Sequence, residues 1–155
     1  MALFTPCLLE RWPIPGARDG ARPAGGWYDV RRDVLRNLEW LLNTEQPSEF
    51  AREQPIPQAV ERSVLCFGVP GYSGKVHSVI DVDELAWRIR ERILLFEPRL
   101  ERSTLEVAAI RGAGTHHFNR LQFRIHGWIR AQPERIELAV QSELDMESGR
   151  ASLFA

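Results

Sequence analysis

A carboxylate, a proline and a guanidinium stand in a row at Glu97, Pro98 and Arg99. Glutamate and arginine this close can make paired, charge-assisted hydrogen bonds. They follow "DVDELAWRIRERILLF", a helix-like stretch. The C-terminal end of a helix carries partial negative charge, so Glu97 stands where its sign is unfavourable. Pro98 pushes the residue before it out of the helical region and ends the helix. Lys, Asn or Gly would stop a helix better. The carboxylate is therefore either held for a partner or simply solvated.

Other chemistry-bearing residues carry less. His116 and His117 are adjacent, and His126 lies further on, but no Cys or Asp at metal-ligand spacing accompanies them. No metal site is expected. Cys66 lies in an apolar run and reads as a small buried hydrophobe. "GYSGKV" lacks the first glycine and the Ser or Thr of a phosphate-binding loop, with Val69 and Val76 at those positions. Glu97 with Asp81 or Glu84 is an imaginable carboxylate pairing for glycoside hydrolysis, which needs two such groups across a cleft that the sequence does not indicate. Trp128 stands on the polar side of an alternating strand beside Arg124. Exposed Trp and Arg together resemble an interaction surface, unless an arm or a helix covers them.

The elements that must position these residues follow from periodicity. "YDVRRDVLRNLEWLLNT" places Val30, Val34, Leu38, Leu41 and Leu42 on one helical face, with Asp29 as a candidate N-cap. "NTEQPSEFAREQPIPQ" reads as a long loop. Periodicity cannot decide between helix and strand over 59–67. A second helix spans roughly 82–96, its apolar stripe formed by Val82, Leu85, Ala86, Ile89, Ile93 and Phe96, with Arg88, Arg90, Glu91 and Arg92 turned outward. The period then changes to two. Leu105, Val107 and Ala109 share a side; so do Leu121, Phe123, Ile125 and Ile129, then Ile136, Leu138 and Val140. "GRASLF" adds a short edge strand. Short connections imply an antiparallel meander. The expected fold is α+β, two amphipathic helices packed on a small antiparallel sheet.

Size and composition agree with one domain. The chain has 155 residues, 44% hydrophobic and 26% charged, and its net charge is −1. That balance argues against a dominant nucleic-acid or acidic-membrane footprint. No apolar run reaches the length of a membrane span, and the first residues lack the basic region of a signal peptide. Two cysteines, Cys7 and Cys66, read as free thiols in a reducing compartment. Residues 1–26, ending in the Pro- and Gly-rich "PIPGARDGARPAGG", read as an N-terminal arm and linker, and 27–155 as the domain.

The order "CLLERW", "RRDVLRNLEWLLNT", "SVLCFGVPGYSG", "FEPRL" and "LQFRIHGWI" resembles the TssE family of type VI secretion baseplate subunits, which belongs to the contractile-phage baseplate wedge proteins. The likeness covers nearly the whole chain from residue 7. The chain departs from the family at Cys66–Gly68 and at Val69–Tyr72, where relatives carry Asn-Tyr-Gly-like and Leu-Pro-Asp-Leu stretches.

The resemblance implies a structural, non-enzymatic subunit without cofactor, cytoplasmic, in a baseplate docked at the inner-membrane complex. Its implied partners are TssF-like and TssG-like wedge subunits with a TssK-like protein, and the TssB-like and TssC-like sheath subunits. Glu97, Pro98 and Arg99 are then expected to project from the helix end toward a wedge partner. The sheath is expected to add a strand to Glu134–Leu144 or the tail after it, using Ile136, Leu138 and Val140. A phage tail, a tailocin or an extracellular contractile injection system would use such a subunit equally. Some members of the wider family carry a lysozyme label.

Overall fold

A computed structural model of the chain describes residues 27–47, 57–72, 81–110, 120–131 and 134–154. The arm expected over 1–26, and His116, His117 and Lys75, lie outside these. The first helix, α1, spans Trp27–Leu42. Val30, Val34, Leu38, Leu41 and Leu42 are buried, as their spacing predicts. The helix starts before Asp29, which is therefore a first-turn residue and not the N-cap.

Asn43 ends α1 and ties it to the last strand. Its side-chain amide donates to the carbonyls of Glu39 and Ala151, both at 2.9 Å, and its side-chain oxygen accepts from the Ala151 N–H at 3.0 Å. Glu45 then forms a parallel bridge with Val69. The stretch left undecided by periodicity is helical: α2 spans Gln58–Glu61, and a 3₁₀ turn spans Val64–Cys66. Gly68 has φ +119°, and a Cβ there would come within 2.4 Å of the Thr44 carbonyl oxygen, so only glycine fits.

The Asp81 carboxylate accepts from the N–H groups of Asp83 (3.0 Å) and Glu84 (3.1 Å) and so caps α3, Val82–Phe96. Leu85, Ala86, Ile89 and Ile93 form its buried stripe. Arg92 does not face solvent as its place outside that stripe suggested. It is buried and donates to the Cys66 and Gly68 carbonyls, the latter at 2.9 Å, with its guanidinium over the Phe96 ring. The Cys66 and Gly68 carbonyls need donors, and the long Arg92 side chain supplies both from α3.

Four antiparallel strands follow as a meander in the order β1-β2-β3-β4: Glu106–Ala109, Arg120–Ile129, Ile136–Asp145 and Ala151–Phe154. Alternation aims Phe123, Ile125, Ile129, Leu138, Val140 and Leu144 into the core. One face of the sheet carries the helices, α3 toward β1 and α1 toward β3 and β4. The architecture is α+β, as expected. Of the two expected edges, Glu134–Leu144 needs correction, because β2 pairs with the whole length of β3 and β4 covers Gln141–Leu144; the tail forms the last strand, β4, as expected.

Candidate partner-binding surfaces

The Glu97–Pro98–Arg99 turn is built inward. Glu97 is 2% exposed. Its carboxylate accepts from the Arg99 guanidinium at both oxygens (2.6 and 2.7 Å), from the Arg99 N–H (3.3 Å) and from the Asn37 amide of α1 (3.2 Å). Pro98 stands at the second position of a turn closed by the Leu100 N–H on the Glu97 carbonyl. The next residues stitch to the end of β2: the Arg130 N–H donates to the Arg99 carbonyl at 2.7 Å, and the Glu101 N–H to the Trp128 carbonyl at 2.9 Å. Proline holds the backbone so that the carboxylate folds back under the helix end and meets its own arginine. The expected projection of Glu97 toward a partner is therefore not what this geometry provides. Its lone pairs are occupied, and three elements, α1, α3 and β2, meet at this turn.

The outer face of the sheet carries the polar side chains of the strands. His126 bonds Glu137 at 3.0 Å, and Arg120 and Gln122 both reach Glu143. Trp128 is half-buried, with the Arg135 guanidinium over its ring. Arg124 is exposed, opposite Ala108 on β1 and Gln141 on β3, with no carboxylate in either cross-strand position. Trp128 and Arg124 do share one accessible face, as their alternation predicts.

Leu138 and Val140 are buried in the core, so their side chains are not available to a partner, and Ile136 is half-buried against the same core. What this stretch offers is main chain. The Asp145 N–H donates to the Arg150 carbonyl across the β3–β4 hairpin, and the Ile110 N–H donates to the Gln122 carbonyl across β1–β2. In an antiparallel ladder this assigns odd-numbered residues of β3 to the β4 side and even-numbered ones to β2. β4 ends opposite Gln141 among the described residues. The N–H and C=O groups of Glu137 and Ala139 therefore point outward, beyond the end of β4, with no strand beside them among the described residues. Sequence alternation names the strand but not which of its residues aim their main chain outward; that needs the register.

The other edge, β1, is less open. Arg90 extends from α3 and donates to the Leu105 carbonyl at 2.9 Å, just before the strand. Asp81, Glu84 and Glu97 do not form a hydrolytic pair. Asp81 caps one end of α3, Glu84 pairs with Arg88, and Glu97 lies at the other end, about 20 Å from Glu84 along the helix. Inverting and retaining pairs need no more than about 10 Å. No group of three His, Cys, Asp or Glu suited to a metal occurs among the described residues. No helix among them is long and apolar enough to cross a membrane.

The Tyr72 hydroxyl donates to the Gly149 carbonyl at 3.2 Å in the β3–β4 turn, and burial beside Glu45 and Asp145 pushes its pKa up to about 12. In the same turn the Asp145 carboxylate accepts from the Glu147 and Ser148 N–H groups, which hold it below the usual range. Burial lowers the pKa of Arg92.

The family described as baseplate wedge protein gp25 matches residues 28–134, well over half of the chain. The matched segment runs from α1 to just before β3 and includes the Glu97–Arg99 turn. No curated protein and no solved structure matches.

Proposed function

The chain belongs to the baseplate wedge protein gp25 family, and from that premise we propose that it is a structural subunit of a type VI secretion baseplate, joining the wedge to the contractile sheath. Family membership implies contact with other baseplate proteins. The finer reading assigns TssF-like and TssG-like subunits, with a TssK-like protein, to the wedge side and TssB-like and TssC-like subunits to the sheath side, all in the cytoplasm at the inner-membrane complex. It has no catalytic task.

The observation that carries the sheath contact is the outward main chain of Glu137 and Ala139. A sheath strand laid there would continue the line of β4 and extend the sheet. Its main-chain bonds would give affinity, and the exposed Arg124 and Phe154 and the half-buried Trp128 flank the same stretch. Glu97, Pro98 and Arg99 serve this function indirectly, by fixing the helices to the sheet.

Ala139→Pro tests it. Proline at 139 removes an outward N–H while leaving the β2 ladder intact, whereas proline at 138 or 140 would break an internal bond. Sheath assembly should stop while wedge binding persists. Unimpaired sheath growth from a folded Ala139→Pro protein would remove this edge from the account. A phage tail or other contractile machine would use the same contact, and neighbouring membrane-complex genes separate the two. Peptidoglycan turnover by the purified chain should be absent.

A further inference from the structure

Beside α3, on the side away from the sheet, lies a groove of about 480 Å³. Trp87, Glu91 and Leu95 line it at four-residue spacing, one above another on the helix. Arg62 and Arg102 close its sides. The core stripe of α3 is a different one, so a Trp here is not needed for packing, and it is 60% exposed.

The charges of the groove are unbalanced. Four arginines line it against two glutamates. Arg92 is occupied by the Cys66 and Gly68 carbonyls, and Glu91 pairs with Arg90. Arg88 pairs with Glu84 on the open surface, a contact of little energy. The guanidinium groups of Arg62 and Arg102 have no hydrogen bond or ion pair among the described residues. Two unpaired arginines beside an exposed tryptophan form the residue set that dominates binding energy at protein interfaces.

We propose that this groove is a second docking surface, and that its occupant is a segment of a neighbouring baseplate protein presenting an apolar side chain flanked by carboxylates. The apolar side chain packs on Trp87 and Leu95, and the carboxylates pair with Arg62 and Arg102. A nucleic acid fits worse, because Glu61 and Glu91 stand inside the groove and would repel a phosphate backbone. The position also suits an adaptor. α3 packs toward β1, while the open main chain of β3 lies at the opposite side of the sheet, so both surfaces can be occupied together. The origin of the segment rests on the baseplate reading; its chemistry does not.

The test is a titration of the purified full chain with the purified wedge subunits encoded beside it. Arg62→Glu with Arg102→Glu should weaken binding by about tenfold or more, and Trp87→Ala by a similar factor. Arg62→Lys with Arg102→Lys should stay within about threefold of wild type, since a flexible rim charge needs no fixed fork. Ala139→Pro should bind the wedge normally. Circular dichroism checks that each variant folds. Charge-reversed protein that binds as wild type does would overturn the proposal. If wild type itself fails to bind the wedge subunits, the baseplate reading fails, and the groove is judged by a photo-crosslinking amino acid at position 87 in the producing cells. A crosslinked peptide with carboxylates flanking an apolar residue, lost on charge reversal, upholds it; a basic peptide, a nucleic acid or no adduct overturns it.

Discussion

The turn at Glu97–Arg99 and the outer side of β3 at Glu137–Ala139 handle polar groups in opposite ways. At the turn, every strong donor and acceptor is turned inward: both Glu97 oxygens are taken, and the main chain of Arg99 and Glu101 is bonded to β2. On β3, two residues keep their main-chain groups pointing outward, with no strand beside them among the described residues. A buried carboxylate without partners costs several kcal/mol, so evolution of such a turn has to satisfy it internally. An exposed strand edge costs little in water, because water bonds it until another strand arrives. The conspicuous charged motif is therefore the anchor, and the inconspicuous apolar strand is the opening.

The largest effect should come from breaking the anchor. Glu97→Ala removes the buried carboxylate on which the Arg99 guanidinium and the Asn37 amide converge and should cost about 3–5 kcal/mol in denaturant unfolding. A loss under about 1 kcal/mol would mean the turn is a solvated helix stop and would erase the contrast. For the same reason, a Glu97→Ala, Arg99→Ala protein that fails to assemble says little about partner contact unless its stability is measured as well.

Arg92 extends the anchored region. Arg92→Leu keeps the apolar stem but strands the Cys66 and Gly68 carbonyls, at about 2–4 kcal/mol. Arg92→Lys should restore little, since one ammonium cannot reproduce the two-pronged contact. Full recovery with Lys would show that only the charge matters.

A smaller, pH-dependent effect should separate the two regions. Tyr72 is held protonated in the folded chain up to about 12, above its ordinary 10.0. Its contribution is fully present below pH 10 and is lost as pH rises toward 12. Amide exchange should accelerate in the β3–β4 turn, around Gly149, before it does at the Glu97 turn, and Tyr72→Phe should flatten that dependence. Equal acceleration at both ends would deny the turn its separate stability.

The helices, the strands and their inward faces were legible because hydrophobic period alone sets them. Val34, Leu38, Ile89, Phe123 and Leu138 are where their spacing puts them. The cap of α3 was half legible: the acidic start offers Asp81 and Asp83 equally, and the structure uses Asp81. The role of Glu97 was not. Its local position argued for something outside the helix, and its donors come from Asn37, sixty residues away, and from a guanidinium folded back by Pro98. Arg92 was misread for a similar reason: it sits off the apolar stripe, and only the path of the 63–69 segment brings carbonyls to it. Asn43 gave a weak signal, an Asn after the last helical turn, but its bond to Ala151 spans 108 residues. The side of β3 that stays open depends on where β4 stops, which alternation does not encode.

The central claim is that the sheath enters at Glu137 and Ala139, and residue-resolved amide exchange tests it most directly. In the free chain the N–H groups of Leu138 and Val140 should exchange slowly, bonded to β2, and those of Glu137 and Ala139 quickly. Adding purified sheath subunits should slow Glu137 and Ala139 and leave Leu138 and Val140 unchanged. If the sheath subunits bind while Glu137 and Ala139 stay fast, the contact is made elsewhere and the account of this edge is wrong.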